Sequence, residues 1–331
     1  MRGAPDADRR AWTETISAAV LATARDIVVA RTGEAAQREA MLTALAVGRL
    51  SRHPGRMSAP VHLPILCGAA VRPGADPAIE LAAATTLLWT GLELYDDLTD
   101  GDLAPYFRAR PDFDTVFTAM GLACVLPPAI LADLPIPEGS HRRLHQLSST
   151  RLLQAFAGQQ RDLHHVGRAD VTPDAVARAV RGKNGAPSAL FAALGAAAAG
   201  ASESEVDAYA CYGEELGILA QYQSDFWELF YDPAVRDLAQ GNRTMQIASA
   251  LHLAGPDERA ALGNLLDRAR VEPDARDEVR ALLRRGRYVA PWQDAVHTAA
   301  RAALAALDAA RPHEPAAAVL RDLVHERTPF C

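Results

Sequence analysis

Residues 81–100 read LAAATTLLWTGLELYDDLTD, an apolar run that ends in three carboxylates. Alanine and leucine dominate the run, and it lacks the alternation of polar and apolar residues that indicates a strand. Asp76 and Pro77 precede it as a helix cap and a first helical residue, and Gly101 follows it. We therefore predict one long helix that begins near Asp76 and ends before Gly101.

The same helical character extends over the whole chain of 331 residues, of which 49% are hydrophobic and 23% are charged. This composition allows a large core and excludes a disordered chain. Further helix starts are predicted at Thr172-Pro173, Ser202, Gly255-Pro256, Glu272-Pro273 and Pro291. With no linker or repeat visible, we predict an all-α fold of about ten or more helices, with a single domain over residues 11–331 after a flexible tail at residues 1–10.

The formal net charge is −7 and the pI is near 5.8, so the overall field repels nucleic acid and anionic membranes. Uninterrupted apolar runs are too short to span a bilayer, and residues 1–10 do not resemble a signal peptide. Four cysteines form no metal-binding pattern. We expect a cytoplasmic protein without a nucleic-acid partner and without stable membrane insertion.

Three carboxylates lie at the end of the first predicted helix. Asp96 and Asp100 are four residues apart and share a face, and Asp97 lies three residues before Asp100. Such crowded carboxylates repel one another unless a cation neutralises them, and oxygen ligands suit Mg²⁺. A solvated acidic helix end is the alternative interpretation, although acidic groups there oppose the helix dipole. The motif alone does not decide between the two.

A second polar group lies on a later predicted helix, where Gln221, Asp225 and Glu228 follow at i, i+4 and i+7 on one face. By itself this pattern is also typical of an amphipathic helix with a polar stripe. Together, the two groups predict a cavity with acidic walls that holds Mg²⁺ against a diphosphate, with the apolar 81–94 face lining a hydrocarbon pocket.

The order and spacing of these motifs resemble the trans-isoprenyl diphosphate synthases and the terpene synthases built on the same all-α fold. The resemblance covers roughly residues 47–251. It is carried by Asp96–Asp100 (similar to DDxxD), Gly158–Asp162 (GQxxD), Lys183-Asn184 with Ala189-Leu190-Phe191 (KT…LF), Gly217–Glu228 (GxxxQxxDDxxD) and Asp237–Thr244 (DLxxGKxT). It implies a helical bundle with a central active-site cavity, an allylic prenyl diphosphate substrate, a Mg²⁺ cofactor and a homodimer.

Two departures from the family pattern decide the expected reaction. The segment Gly55–Pro60 matches GKRxRP, which grips a homoallylic co-substrate, but Met57 and Ala59 replace both arginines, and Ser224 replaces an aspartate of the second motif. We therefore expect a class I terpene synthase that ionises one allylic diphosphate and releases diphosphate. Two alternatives stay open: a prenyltransferase or isoprenyl diphosphate synthase that uses a second substrate, and a non-catalytic partner subunit.

The resemblance also implies residue roles. The metal ligands would be Asp96, Asp97 and Asp100, which are also the catalytic group, together with Asp225 and Glu228. The substrate-binding residues would be Lys183, Arg243, Arg108, Gln221, Trp89 and Phe191. Gly91, five residues before Asp96, would leave room for a longer hydrocarbon tail.

Overall fold

The computed structural model describes residues 6–48, 51, 55–74, 78–136, 138–232 and 235–328. Helices are the only regular structure in these residues, which confirms the all-α prediction. In chain order they are α1 (Asp6–Arg31), α2 (Ala35–Val47), α3 (Ala59–Val71), α4 (Ile79–Asp100), α5 (Pro105–Arg108), α6 (Asp112–Met120), π1 (Gly121–Val125), α7 (Leu126–Asp133), α8 (Glu138–His165), α9 (Pro173–Val180), π2 (Arg181–Gly185), α10 (Ala186–Ala198), α11 (Glu203–Tyr231), α12 (Arg236–Gln240), α13 (Met245–Leu253), α14 (Pro256–Ala269), α15 (Pro273–Leu283), α16 (Gly286–Ala309) and α17 (Ala316–His325).

Internal contacts divide the chain into two compact units. Unit 1 comprises residues 1–149, 190–210 and 309–320, and unit 2 comprises residues 150–189, 211–308 and 321–331. A single domain over residues 11–331 therefore stays a prediction. Because α1 begins at Asp6, the second half of the predicted flexible tail is helical.

Unit 1 is built around α4, the helix predicted from residues 81–100. Every residue from Leu81 to Leu88 is buried, which covers all faces of the helix, and α1, α3, α6, π1 and α7 pack around it. A helix that is apolar on all sides belongs in a core. Gly101 ends it in a left-handed conformation with φ of 72°, and the N–H of Asp102 donates to the carbonyl of Asp97 at 2.8 Å. The predicted start at Asp76-Pro77 lies outside the described residues.

Gly91 lies where α4 passes close to α6 and π1. A Cβ at this position would lie 2.6 Å from the carbonyl oxygen of Ala119 and 2.7 Å from the nitrogen of Ala123. Real Cβ atoms do not approach backbone that closely, so only glycine fits. Gly91 therefore serves helix packing, and its small size carries no information about a hydrocarbon tail.

Unit 2 has its own core, formed by the end of α11 and by the helices from α12 to the start of α16. Its largest contributors are Leu229, Leu238, Ile247, Leu251, Leu262, Leu266, Val279, Leu283 and Tyr288. The predicted starts of α9, α14 and α15 are confirmed, and the Thr172 hydroxyl accepts from the N–H of Ala175 at 3.2 Å. The predicted start at Pro291 is wrong: α16 begins at Gly286. Proline removes only one ladder hydrogen bond, and the buried Tyr288 and Trp292 anchor this turn.

The capping box at the start of α11 is confirmed. The backbone N–H of Ser202 donates to Glu205 Oε2 at 2.8 Å, and the N–H of Glu205 lies 3.4 Å from the Ser202 hydroxyl. The helix continues past Gly217 to Tyr231 as expected.

Among the described residues, one stretch is long and apolar enough to cross a membrane. Within residues Asp112–Asp133, an 18-residue window has a mean hydropathy of 1.9, and half of that window is buried inside the protein. Sequence reasoning missed it because threonine, glycine and proline interrupt the apolar run. A core helix has the same composition, so the finding is weak evidence for insertion, and the cytoplasmic location stays a prediction.

His62 of α3 gives unit 1 a pH-dependent stability. Its side chain is buried, Nδ1 lies 3.1 Å from both the backbone N and O of Ser58, and Nε2 is buried without a hydrogen-bond partner among the described residues. Burial lowers the pKa of His62 from 6.5 to about 4. The unfolded state therefore takes up the proton first, and stability present above pH 6.5 is lost as the pH falls towards 4.

We expect the burial of His62 to lower the free energy of unfolding by up to about 3 kcal/mol as the pH falls through that range. Chemical denaturation of the wild type and of His62→Gln at several pH values measures it. The stability advantage of the wild type should shrink as the pH falls, whereas the exposed control His252→Gln should follow the wild type. A difference in unfolding free energy between wild type and His62→Gln that does not change with pH would contradict the prediction.

Candidate active site

Glycines bring three helices of unit 2 into close contact. A Cβ on Gly158 of α8 would lie 2.6 Å from Cα of Gly182 in π2 and closer still to the nitrogen of Lys183. A Cβ on Gly217 of α11 would lie 2.7 Å from the Ser188 hydroxyl of α10. Because glycine has no side chain, the helix backbones approach one another more closely here than any other residue type would allow. The end of α8, the π2–α10 segment and the middle of α11 are therefore fixed against one another.

This packing places the lysine of π2 beside a carboxylate of α8. Lys183 Nζ lies 3.0 Å from Asp162 Oδ2, and both side chains are partly buried. Lys183 is the only lysine in the sequence, and the other permanently charged basic side chains are all arginines. π-helical turns occur frequently at functional sites, since one extra residue redirects a side chain. The predicted substrate-binding lysine thus lies within a packed polar group.

Three further carboxylates lie along α11 and the segment that follows it. Asp225 is buried and accepts a hydrogen bond from Gln221 Nε2 at 2.5 Å. Glu228 Oε1 accepts from the backbone N–H of Asp237 at 2.7 Å, and Asp237 Oδ1 accepts from Asn242 Nδ2 at 2.9 Å. Asp162 and Asp237 were given no role from the sequence, although both lie in matched motifs.

Burial and nearby negative charge make two of these carboxylates, Asp225 and Asp237, costly to ionise. Burial raises the pKa of Asp225 well above its usual value, with the charge of Asp237 as the next cause. Burial also raises the pKa of Asp237 to about 7, and Glu228 adds to that shift. Oxygen donors whose negative charges are unfavourable by themselves are the set that a divalent cation stabilises, so these residues fit Mg²⁺ chemically.

The geometry does not define the metal ligands. No group of three or more His, Cys, Asp or Glu side chains is placed to hold a metal ion in the part of the chain that the structure describes. The assignment of Asp225 and Glu228 as metal ligands therefore stays a prediction. Ser224, which replaces a family aspartate, is exposed.

Replacing Asp225 with asparagine tests the cost of its charge. Without divalent cations, Asp225→Asn should raise Tm by roughly 2 °C, because it removes a carboxyl group whose ionisation burial opposes and keeps an oxygen for Gln221. In saturating Mg²⁺ the wild type should instead have the higher Tm, since only the wild type keeps the carboxylate that would bind the metal. Thermal unfolding with and without Mg²⁺ measures both effects, and an unchanged order in Mg²⁺ would remove Asp225 from the metal site.

The first predicted metal group lies in unit 1, on the last turns of α4. Asp96, Asp97 and Asp100 are all partly buried, and the exposed Thr99 donates its hydroxyl hydrogen to the carbonyl of Asp96 at 3.0 Å. The left-handed cap at Gly101 fixes the end of this helix and with it the three carboxylates. Their role as metal ligands stays a prediction.

The other predicted site residues have varied surroundings. Trp89 and Phe191 form an edge-to-face pair with ring centroids 6.2 Å apart, and Phe191 is wholly buried. Arg108 is exposed and donates to the carbonyl of Leu103 at 2.8 Å. Arg243, in contrast, is buried and donates to the carbonyl of Arg168. The substrate contacts predicted for these four residues stay predictions.

The segment Gly55–Pro60, which lacks two family arginines, receives an arginine from another helix. Nη2 of Arg9 in α1 lies 3.7 Å from Sδ of Met57. A Cβ on Gly55 would lie 3.3 Å from Nε of Arg10, so α1 packs directly on this segment. Sequence reasoning missed these contacts because Arg9 and Met57 are 48 residues apart.

The sequence profile of the polyprenyl synthetase family matches residues 48–285. The chain belongs to this family. The matched range includes all five motifs on which the resemblance was based.

Curated relatives of this family show partial similarity. The chain is 31% identical to the geranylgeranyl diphosphate synthase of Mycobacterium tuberculosis over 191 residues, 53% of each protein. It is 28% identical to the (2E,6E)-farnesyl diphosphate synthase of Mycobacterium bovis over 244 residues, 65% of this chain and 66% of that one. The chain thus spans between about half and two thirds of the length of these relatives.

Solved structures of family members share the fold. The geranylgeranyl pyrophosphate synthetase of Pyrococcus horikoshii matches with a TM-score of 0.82 at 19% identity, over 97% of this chain and 98% of that one. The decaprenyl diphosphate synthase of Rhodobacter capsulatus matches with a TM-score of 0.78 at 22% identity, over 98% and 99%. At these identities the similarity establishes the fold alone.

The expectation of a terpene synthase, and with it of a lyase, is wrong. The similar proteins are named geranylgeranyl, farnesyl and decaprenyl diphosphate synthases, which are prenyltransferases. That expectation depends on Met57 and Ala59, which replace two arginines and offer no charge to a second diphosphate. That inference considered only side chains within one segment, whereas the structure places Arg9 beside Met57.

Proposed function

We propose that the protein is a Mg²⁺-dependent prenyltransferase that joins an allylic prenyl diphosphate to a second substrate and releases diphosphate. The observation that carries the proposal is the Lys183–Asp162 pair, held by the Gly158–Gly182 contact, in a member of the polyprenyl synthetase family. The glycine contact gives the lysine a fixed place. Such placement suits a residue that binds a phosphate oxygen rather than one that stabilises a surface.

The reaction breaks the allylic C–O bond, and the electron pair leaves with diphosphate. A new bond forms between the allylic carbon and the acceptor, which then loses a proton. Bound Mg²⁺ would neutralise diphosphate and improve it as a leaving group. In our proposal Lys183 binds the diphosphate, and Asp225, Glu228 and the Asp96–Asp100 carboxylates hold the metal ions.

We further propose that the acceptor is a homoallylic diphosphate. Met57 and Ala59 offer no charge to a phosphate, but Arg56 is exposed in the same segment and Arg9 lies against Met57. Guanidinium groups bind phosphate oxygens in a forked geometry. The segment therefore has two arginines within reach of an anion, one of them supplied by α1.

The test is a product assay with geranyl, farnesyl or geranylgeranyl diphosphate and Mg²⁺, with and without isopentenyl diphosphate. We expect longer prenyl diphosphates only when both substrates are present. Terpene hydrocarbons or alcohols from a single diphosphate, or no product in any mixture, would overturn the proposal. The only lysine gives a second readout, because amine-reactive labelling of Lys183 should be slowed by bound inorganic pyrophosphate.

We also propose that the chain forms a homodimer through the outer face of α6 and π1. Phe113, Phe117, Met120 and Val125 form an apolar stripe there, and each is between 49% and 64% exposed. Large apolar side chains grouped on one surface mark an interaction site. A stripe without charges is complementary to itself, so a second copy related by two-fold symmetry can cover it.

Introducing a charge on the stripe should separate the subunits. We expect Phe117→Asp to sediment as a monomer at concentrations where the wild type is a dimer, since a carboxylate would be buried at the interface. The control Asp112→Asn changes a nearby exposed charge and should leave the dimer intact. A monomeric wild type, or binding of the wild type to phospholipid vesicles instead of to itself, would exclude the dimer proposal.

A further inference from the structure

The inference concerns Arg243, which lies in the segment that resembles DLxxGKxT. Its side chain is only 6% exposed. Nε donates to the carbonyl of Arg168 at 2.6 Å, and Nη1 donates to the carbonyl of Gly241 at 2.8 Å and lies 3.5 Å from that of Asn242. Among the described residues, all hydrogen bonds of this side chain are thus to backbone carbonyls.

These carbonyls belong to two separate segments of unit 2. Arg168 lies in the connection after α8, and Gly241 lies in the turn after α12. A backbone hydrogen bond from the N–H of Gly167 to the carbonyl of Gly241, at 2.9 Å, joins the same two segments. Arg243 therefore fastens the turn after α12 to the end of the helix that carries Asp162.

The fastened turn leads directly to the acidic group. Asn242 donates its side-chain N–H to Asp237 Oδ1 at 2.9 Å and its backbone N–H to the carbonyl of Asp237 at 2.8 Å. The backbone N–H of Asp237 then donates to Glu228 Oε1 at 2.7 Å. A shift of the turn thus reaches two carboxylates through a continuous series of hydrogen bonds.

Binding of a substrate phosphate through Nε and Nη1 of Arg243 would break this arrangement. The guanidinium would have to give up its hydrogen bonds to the carbonyls of Arg168 and Gly241, and the Arg168 carbonyl would then lose this donor. Arginine suits the observed role better than lysine, because its planar fork can donate in several fixed directions at once.

We propose that Arg243 is a positioning residue, which holds the turn after α12 so that Asp237 and Glu228 are in place for divalent cations, and that it does not bind the diphosphate. The proposal rests on the proposed function, since it gives a purpose to those carboxylates. In this proposal the basic residue of the motif donates hydrogen bonds to backbone carbonyls and does not contact substrate.

Two substitutions distinguish positioning from phosphate binding. Arg243→Lys keeps the positive charge but cannot reproduce the fork, and Arg243→Met removes both. If Arg243 positions the turn, both variants should raise the Mn²⁺ concentration for half-saturation, measured by paramagnetic resonance, by about 10-fold or more. Pyrophosphate protection of Lys183 in the absence of metal should stay within about 2-fold of the wild type. The control Arg301→Met changes an exposed arginine of α16 and should alter neither value.

A phosphate-binding role predicts a different pattern. Arg243→Lys would then resemble the wild type, because lysine also binds phosphate, and Arg243→Met would lose pyrophosphate protection. That pattern would overturn the proposal, as would unchanged Mn²⁺ binding in both variants. If the Arg243 variants fail to fold, Asn242→Ala should reproduce the weaker Mn²⁺ binding through the same hydrogen bonds, and normal binding there would also overturn it. Because neither readout requires product formation, failure of the prenyl-transfer proposal would be seen separately in the product assay.

Discussion

Gly158→Ala should lower kcat/KM by about 100-fold or more and the free energy of unfolding by about 3 kcal/mol. The new methyl group would lie 2.6 Å from Cα of Gly182, against backbone that cannot rotate away. Contacts between real Cβ atoms and backbone require well over 3 Å, so α8 and π2 would have to separate. The separation would pull Lys183 away from Asp162, whose ion pair now spans 3.0 Å.

Steady-state kinetics and chemical denaturation measure these effects, with Gly263→Ala as the matched control. Gly263 lies within α14, and a Cβ there would meet no atom within 4 Å. That substitution should keep full activity and stabilise the protein by about 0.5–1 kcal/mol, because alanine favours helix over glycine. If Gly158→Ala retains wild-type activity, the glycine contact is not what positions Lys183.

Asp96→Ala should lower kcat by about 1,000-fold or more, the effect of removing a group that stabilises the departing charge. Without this carboxylate, one Mg²⁺ would be held weakly and diphosphate would become a poorer leaving group. The change should not unfold the protein, since Asp96 lies at the partly exposed end of α4, where the cap at Gly101 fixes the helix independently.

Rapid-quench measurement of diphosphate release in a single turnover separates this effect from product release. The matched control is Thr99→Ala, which removes only an exposed hydroxyl that donates to the carbonyl of Asp96. Its rate should stay within about 2-fold of the wild type. Wild-type release by Asp96→Ala would refute the metal assignment on α4, whereas equal losses in both variants would point to a general disturbance of this turn.

The sequence was sufficient to predict the elements whose signals are local. Helix α4 was predicted because its residues are apolar on every side and because Gly101 provides the left-handed cap. The start of α11 follows from the reciprocal bonds of Ser202 and Glu205, which depend on a spacing of three residues. The helix start predicted at Pro291 was wrong, because the preceding turn is already helical and is held by the packing of Tyr288 and Trp292.

The contacts between distant segments could not be predicted in the same way. Nothing near Gly158 indicates that its partner is Gly182 on another helix, and nothing near Met57 points to Arg9. Arg243 shows the opposite difficulty: its motif predicts that it binds substrate, whereas in the structure it is buried and donates to backbone carbonyls. Fold class and candidate carboxylates thus follow from pattern, whereas the role of each cation depends on tertiary contacts.

The π-helical turn at Arg181–Gly185 has a consequence for how this gene can vary. A π turn is equivalent to one residue inserted into an α-helix, so deletion of a single codon here would leave a continuous helix. The residues on one side of the deletion would rotate by about 100° relative to the other side. Lys183 would then leave Asp162, while composition and helix content stayed nearly the same. In related genes, the number of residues between Pro173 and Phe191 should therefore be more strictly constrained than their identity.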